Sequence, residues 1–356
     1  MAMDLERRRC LAGLIGATGF VPGYAGPREL SITAPRCVAA WDSLDGQHWV
    51  GVLEQGRDQT LEVRAAQSLP TRAHGLSWEA DGRILVVARR PGEWLLRWDP
   101  EGRHPLQWQW LSGPRVLGGH VLVSPDGPRI YTIEQDGDTA EGWLVARDRH
   151  SLAEQAAWPT GGLDPHMALA DGSGHALVAN GGVPPAPWTR RSGPLRSSLV
   201  RLDLRNGALA GRWTLPDASM SLRHLARHAD GQVGVALQCE HLSDPHRMAA
   251  PLLAIFDGQR LQAAEAVPHL GGYGGDIAAD PLGFLVSASR APLHQGGFGA
   301  VAHWRLDGQC HRVSAWPQAG ALGRGWAAGK LWQTPESTQA VLAPKIKAWD
   351  NHLGGV

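Results

Sequence analysis

The sequence predicts an all-β protein, a seven-bladed β-propeller with four-stranded blades in a single domain, and three observations predict it. Asp-Gly turns at Asp81, Asp126, Asp171 and Asp230 are spaced 45, 45 and 59 residues, with a looser copy, DIAADPLGFLVSASR, at Asp276. A period in the forties is that of a propeller blade. Each turn joins two short apolar runs, and a third and a fourth run follow, so each unit carries four strands. The composition agrees: 45 glycines, 25 prolines and 16 tryptophans, without a low-complexity tract, describe a turn-rich, packed β protein.

Taken in order, CVAAWDS, HWVGVLE and TLEVRAAQSLP supply an N-terminal blade. The five clear copies follow. Their third strands are WLLRWDP, GWLVARD, SLVRLDL, LLAIFDG and AVAHWRL; their fourth strands are HPLQWQWL, LAEQAAWP, ALAGRWTLP, LQAAEAVP and CHRVSAWP. The longer spacing before Asp230 reflects an insertion, Val183 to Ser198, between a second and a third strand, which leaves the strand order intact. A C-terminal blade is read from about Ala321 through LWQTPES to IKAWDNHL, giving seven blades. ELSITA, Glu29 to Ala34, is expected to close the ring by covering the edge that this last blade would leave unpaired.

The N-terminal residues 1–25 read as an export signal: Arg7, Arg8 and Arg9 precede an apolar stretch too short to span a bilayer. The arginine pair with Leu11 downstream resembles the twin-arginine type, although Cys10 stands where that pattern prefers Phe. Residues 27–356 would then form the periplasmic propeller, with no membrane span in the mature protein. Lys plus Arg and Asp plus Glu both number 34, which argues against a nucleic-acid surface. Cys37, Cys239 and Cys310 are widely spaced and form no CxxC pair; they read as small buried hydrophobes, a single bridge being the other reading.

A propeller gathers the first strands of its blades around a central channel. The residues that open the first strands and those that close the second strands then share one mouth of that channel. Four copies open on a histidine: His74, His120, His166 and His224, with Asp276 near the same place in the next. Their second strands close on Arg90, Glu134, Asn180, Gln238 and Arg290. A blade does not need such varied polar groups there, whereas a binding site does. Neutral imidazoles from adjacent blades would suit a transition metal ion such as Fe, Cu or Zn. The other reading makes the histidines posts that tie neighbouring strands by hydrogen bonds. Tryptophans on the fourth strands, Trp108, Trp110, Trp158, Trp213 and Trp316, read as inter-blade packing. No GxSxG, HExxH, P-loop, EF-hand or CxxCH motif occurs.

The same residues carry a resemblance. His74-Gly75, Arg90-Pro91-Gly92, His120, Glu134, Pro165-His166, Asn180-Gly181-Gly182, Arg223-His224 and the terminal WDNHL are similar to the pattern of a bacterial family catalogued only as a domain of unknown function. The resemblance implies an exported propeller. It also implies a gene neighbourhood of imelysin-type and di-haem oxidoreductase-like proteins linked to iron acquisition, hence periplasmic iron-uptake proteins as partners. The chain departs from the pattern at Met167, where the family has Glu, at Gly118, where it has an aromatic, and at Gln135-Asp136, where it commonly has Asn-Asp.

These readings lead to an expected function: an exported propeller whose channel mouth binds a small ligand or metal ion, as an accessory in periplasmic iron or other metal handling. Two alternatives stay open. One is a lactonase-like hydrolase or oxidoreductase, in which a histidine with a nearby carboxylate such as Glu134 would serve as base. The other is a protein-interaction scaffold that docks partners through Val183 to Ser198.

Overall fold

Leucine and β-branched runs separated by Asp-Gly and related turns fold as antiparallel hairpins, because the turns supply the left-handed backbone that a tight reversal needs. Gly82 and Gly231 both sit at positive φ in such turns. The computed structural model describes residues 36–55, 61–124, 127–185, 193–292, 298–316, 319–322 and 346–355. Pro35–Val356 forms one compact unit.

The first blade holds β1 (Arg36–Ser43), β2 (His48–Gln55) and β3 (Leu61–Leu69), with β24 (Ile346–Gly355) along the inner edge of β1. The second is β4 (Ala73–Trp78), β5 (Ile84–Ala88), β6 (Trp94–Trp98) and β7 (Gln107–Trp110). The third is β8 (Arg115–Val123), β9 (Arg129–Asp136), β10 (Glu141–Asp148) and β11 (Glu154–Leu163). The fourth is β12 (Pro165–Ala170), β13 (His175–Asn180), β14 (Ser198–Asp203) and β15 (Leu209–Trp213). The fifth is β16 (Met220–Arg227), β17 (Val233–Cys239), β18 (Leu253–Phe256) and β19 (Leu261–Ala263), with a short helix α1 (Asp244–Ala249) before β18. The sixth is β20 (Gly274–Asp280), β21 (Gly283–Pro292), β22 (Phe298–Arg305) and β23 (Cys310–Ala315). Inner strands β24, β4, β8, β12, β16 and β20 neighbour one another in that order, and β20 lies beside β24.

Two expectations are corrected here. Six blades, not seven, are formed among the described residues. IKAWDNHL does not end a separate blade: β24 pairs antiparallel with β1, Val38 opposite Gly354 and Trp41 opposite Trp349. The N-terminal runs are therefore the second, third and fourth strands of a blade whose first strand comes from nearly three hundred residues later. The reason is edge pairing. An inner edge on β1 needs a partner, and Ile346–Gly355 supplies it while closing the ring. Glu29 to Ala34, LWQTPES and the proposed signal at residues 1–25 lie outside the described residues.

Apolar clusters shared between neighbouring blades hold the ring. Val50 and Val52 of the first blade pack with Ile84, Val86 and Trp94 of the second; Leu177 and Leu199 of the fourth pack with Leu222 and Phe256 of the fifth. Each such aliphatic or aromatic side chain contributes about 1.5–3 kcal/mol on full burial. Trp108, Trp110, Trp158 and Trp213 pack against clusters shared by two blades, as expected of fourth-strand tryptophans, whereas Trp316, just past β23, is buried in a cluster of the sixth blade and the segment that follows it. Cys37 and Cys239 are buried, and Cys310 is half-buried. Among the described residues no helix is long and apolar enough to cross a membrane.

Candidate metal centre

Every inner strand breaks its ladder at the place that carries its polar residue. In β4, His74 and Gly75 face Val87 alone, between the pairs Ala73–Ala88 and Leu76–Val86. In β8, Gly118, Gly119 and His120 face Ile133. In β12, His166 is the extra residue between Pro165–Asn180 and Met167–Ala179. In β16 the extra pair is Arg223 and His224 against Ala236; in β20 it is Gly275 and Asp276 against Ser287. In β24, Asp350, Asn351 and His352 face Ala40. A bulge turns the local strand and re-aims its side chain. Repeated six times around a closed ring, it brings one side chain per blade together.

Glycine makes the convergence sterically feasible. A Cβ on Gly75 would run into the carbonyl oxygen of Gly119. Gly119 itself has φ +104°, and a Cβ there would lie 2.7 Å from Cδ2 of His74.

Five imidazoles and one carboxylate result. The rings of His74, His120, His166, His224 and His352 lie with centroids 4.3 to 6.3 Å apart, and each is less than a tenth exposed. One ligand atom from each of His74, His120, His224 and His352 lies within 4.8 Å of the other three. Two of these rings are anchored from behind. His74 Nδ1 is 2.9 Å from Asp350 Oδ1, and His352 Nδ1 is 3.3 Å from Asp276 Oδ1. Asp350 is braced by Arg72 at 3.3 Å, which also reaches Asp42. Asp276 accepts the backbone N–H groups of Ile277 and Leu322.

A carboxylate on Nδ1 selects the tautomer with its proton there, which leaves the Nε2 lone pair facing forward. The Nε2 atoms of His74 and His352 then face one another at 3.1 Å. Two lone pairs at that distance repel unless a proton or a cation stands between them. Near them, His120 Nε2 is buried without a hydrogen-bond partner among the described residues. His166 Nε2 and His224 Nε2 meet at 2.8 Å, with both Nδ1 atoms likewise unpartnered.

The electrostatics keep most of these rings neutral. Burial, with the His352 charge second and only partly opposed by Asp350, lowers His74 to about 4. Burial likewise pushes His120, His166 and His224 well below the ordinary histidine range, neighbouring histidines adding to it. His352 is the exception: burial pulls it down, but Asp276 and then Asp350 outweigh that and raise it. Basicity is therefore lowered at four of the five rings and raised at His352.

The residues expected at the site divide accordingly. His74, His120 and His224 belong to the four-ring group; His166 stands to one side against His224. Asp276 joins the ring as a support for His352. His352 itself was not expected. WDNHL carries part of the family resemblance, but its histidine becomes a ligand only once its strand is known to be an inner one.

The second-strand residues do not form one lining. Glu134 is buried inside its blade, bonded by Arg147 at 2.6 Å and Thr132 at 2.7 Å, with Arg115 at 3.6 Å. Asn180 accepts from Thr160 and donates to Ser198. Gln238 donates to the carbonyl of Gly274, tying the fifth blade to the sixth. Arg290 lies over the Tyr273 ring at 4.0 Å. Arg90 reaches from the second blade to Asp164, which also takes Arg223 at 2.8 Å. Glu134, Asn180 and Gln238 are structural pairs; Arg90 alone of the set acts on the histidine ring, its charge opposing protonation of His120 and His166.

Comparison with known proteins agrees with this architecture. A family profile described as "Protein of unknown function (DUF1513)" matches residues 67–356. No curated protein matches the sequence. Among solved structures, the periplasmic gluconolactonase of Pseudomonas aeruginosa superposes with a TM-score of 0.55 at 16% identity, covering 80% of this chain and 83% of that one. Hydrazine synthase of Kuenenia stuttgartiensis gives 0.53 at 13% identity, covering 93% and 90%. Virginiamycin B lyase of Staphylococcus aureus gives 0.51 at 11% identity, covering 78% and 84%. At these identities the likeness is one of fold.

Proposed function

The chain belongs to the DUF1513 family of proteins of unknown function, and from that premise we propose that it is a metal-binding propeller whose axial histidines hold one transition-metal ion, Fe, Cu or Zn. The observation that carries this reading is the pair of carboxylate-anchored rings, His74 and His352, presenting their Nε2 atoms to each other at 3.1 Å. A carboxylate behind a histidine is the usual support of a metal ligand. Nitrogens bound at about 2.1 Å to one ion lie roughly 3.4 Å apart in a tetrahedral site. His74 and His352 are already near that spacing, and the 4.8 Å limit on the four-atom group asks the widest pair to close by roughly 1.4 Å. An all-imidazole set suits a borderline cation, and the depressed basicity of His74, His120 and His224 leaves their lone pairs free at neutral pH.

Burial of all five rings favours the ion as cargo or fixed centre over an open catalytic position. An accessory role in periplasmic metal handling, with iron-uptake proteins as partners, is the setting implied by the family resemblance and the N-terminal arginine pair. Glu134, the carboxylate of the hydrolase alternative, is engaged through Oε1 by Arg147 and Thr132. Elemental analysis of protein purified from its native compartment tests the reading. About one Fe, Cu or Zn per chain is expected, with a melting temperature that falls on chelation. Protein that carries no metal and melts identically with chelator and with added ions would remove it.

A further inference from the structure

Two arginines stand next to the axial imidazoles through one buried carboxylate, Asp164. Arg223 shares the bulge of β16 with His224. Asp164, which both Arg90 and Arg223 contact, lies two residues before His166. Arg223 is 4% exposed, and its Nε has no hydrogen-bond partner among the described residues. Two guanidiniums with five donors each converge on a single carboxylate, so the pair keeps an excess of both charge and donors. A divalent ion held by neutral imidazoles would add two further positive charges beside them.

We infer that Arg90 and Arg223 form an oxyanion subsite beside the histidine ring, and that a small carboxylate binds there as a partner ligand of the axial ion. The inference rests on the metal reading above and names the second ligand that reading needs. A carboxylate matches the guanidinium fork in shape and charge, as the contacts of both arginines with Asp164 already illustrate. One oxygen face would take the arginine donors, including the orphaned Nε of Arg223, and the other would face the ion. Binding of either partner would then strengthen binding of the other, because each offsets the charge that disfavours it.

Calorimetric titration of oxalate into the full-length protein tests this, in metal-free and Zn-loaded forms, for wild type, Arg90→Gln and Arg90→Lys. Metal content and melting temperature are read on the same samples. Wild type is expected to bind oxalate at least tenfold more tightly with Zn than without. Arg90→Gln should weaken that binding at least tenfold when compared at equal Zn loading, and Arg90→Lys, which keeps the charge but loses the fork, should fall between. Equal oxalate affinity in wild type and Arg90→Gln, or no oxalate binding in either form, overturns the subsite. Equal affinity with and without bound Zn overturns the partnership with the ion. If the protein takes up no metal, the metal reading fails by that measurement and takes the partnership with it; a tenfold loss in metal-free Arg90→Gln would then keep the arginine subsite, and no loss would remove it.

Discussion

His352 Nδ1 lies 3.3 Å from Asp276 Oδ1, so the strand that closes the ring is joined to the one blade whose axial residue is not a histidine. This contact turns Nδ1 of His352 toward Asp276 and leaves its Nε2 toward His74. Asp276→Asn should therefore lower metal affinity by about 10–100-fold, the usual cost of losing a support behind a ligand, while the blades stay assembled. Competition against a chelator of known affinity measures it. Unchanged affinity would mean that His352 is oriented by something else.

The five rings are expected to be unequal. His352→Ala and His120→Ala each remove a member of the four-ring group and should abolish stoichiometric metal binding. His166→Ala should retain it, because His166 contributes its Nε2 to His224 instead. Metal retained per chain after gel filtration separates these outcomes. The opposite order, with His166 indispensable and His352 dispensable, would relocate the centre to the other side of the ring.

The pH dependence follows from the direction of the shifts. His74 has a folded value of about 4 against 6.5 for the free group, so between those limits the unfolded chain binds a proton that the folded chain does not. Its stabilising contribution is complete above the unfolded value and is lost as pH falls toward 4. The slope is up to about 1.4 kcal/mol per pH unit for each such histidine. His120, His166 and His224 act in the same direction. His352, raised, acts oppositely: its contribution is complete below the unfolded value and is lost as pH rises through the folded one. Four against one, metal-free protein should melt at a markedly lower temperature at pH 5 than at pH 7.5. A flat or inverted profile would show that the rings are not buried in neutral form.

Glu134 offers a clean separation of structure from function. Glu134→Ala leaves Arg147 in a buried position without its carboxylate and should destabilise the fold by about 3–5 kcal/mol, read from denaturant midpoints. Its metal content should match wild type. A stable variant that had lost metal would restore Glu134 to the site.

Four-stranded blades were legible because each repeat writes its own hairpins, with an Asp-Gly turn and alternating strands within some forty residues. The blade count was not, because ring closure is a long-range event: nothing local in IKAWDNHL distinguishes an outer strand from an inner one. The same ambiguity hid His352. His74, His120, His166 and His224 could be read as one set because each opens a recognisable repeat. The pairing of Glu134 with Arg147 could not, because it crosses the β9–β10 ladder diagonally, where Glu134 stands opposite Trp143 and Arg147 opposite Ile130. The bulges themselves leave only a faint mark, the glycines beside His74, His120 and Asp276.

The contact between His74 and His352 spans 278 residues of sequence. Synthesis must therefore proceed almost to residue 355 before the centre can exist at all, and every shorter nascent chain lacks both a ligand and the strand that seals the first blade. On the metal reading, ion capture would report that β24 has been made and has paired with β1. A prematurely released chain keeps an open edge on β1, a feature by which proteolysis can discard it. Full-length protein should resist protease in a metal-dependent way, and a chain ending at residue 345 should be cleaved at the same rate with or without added metal.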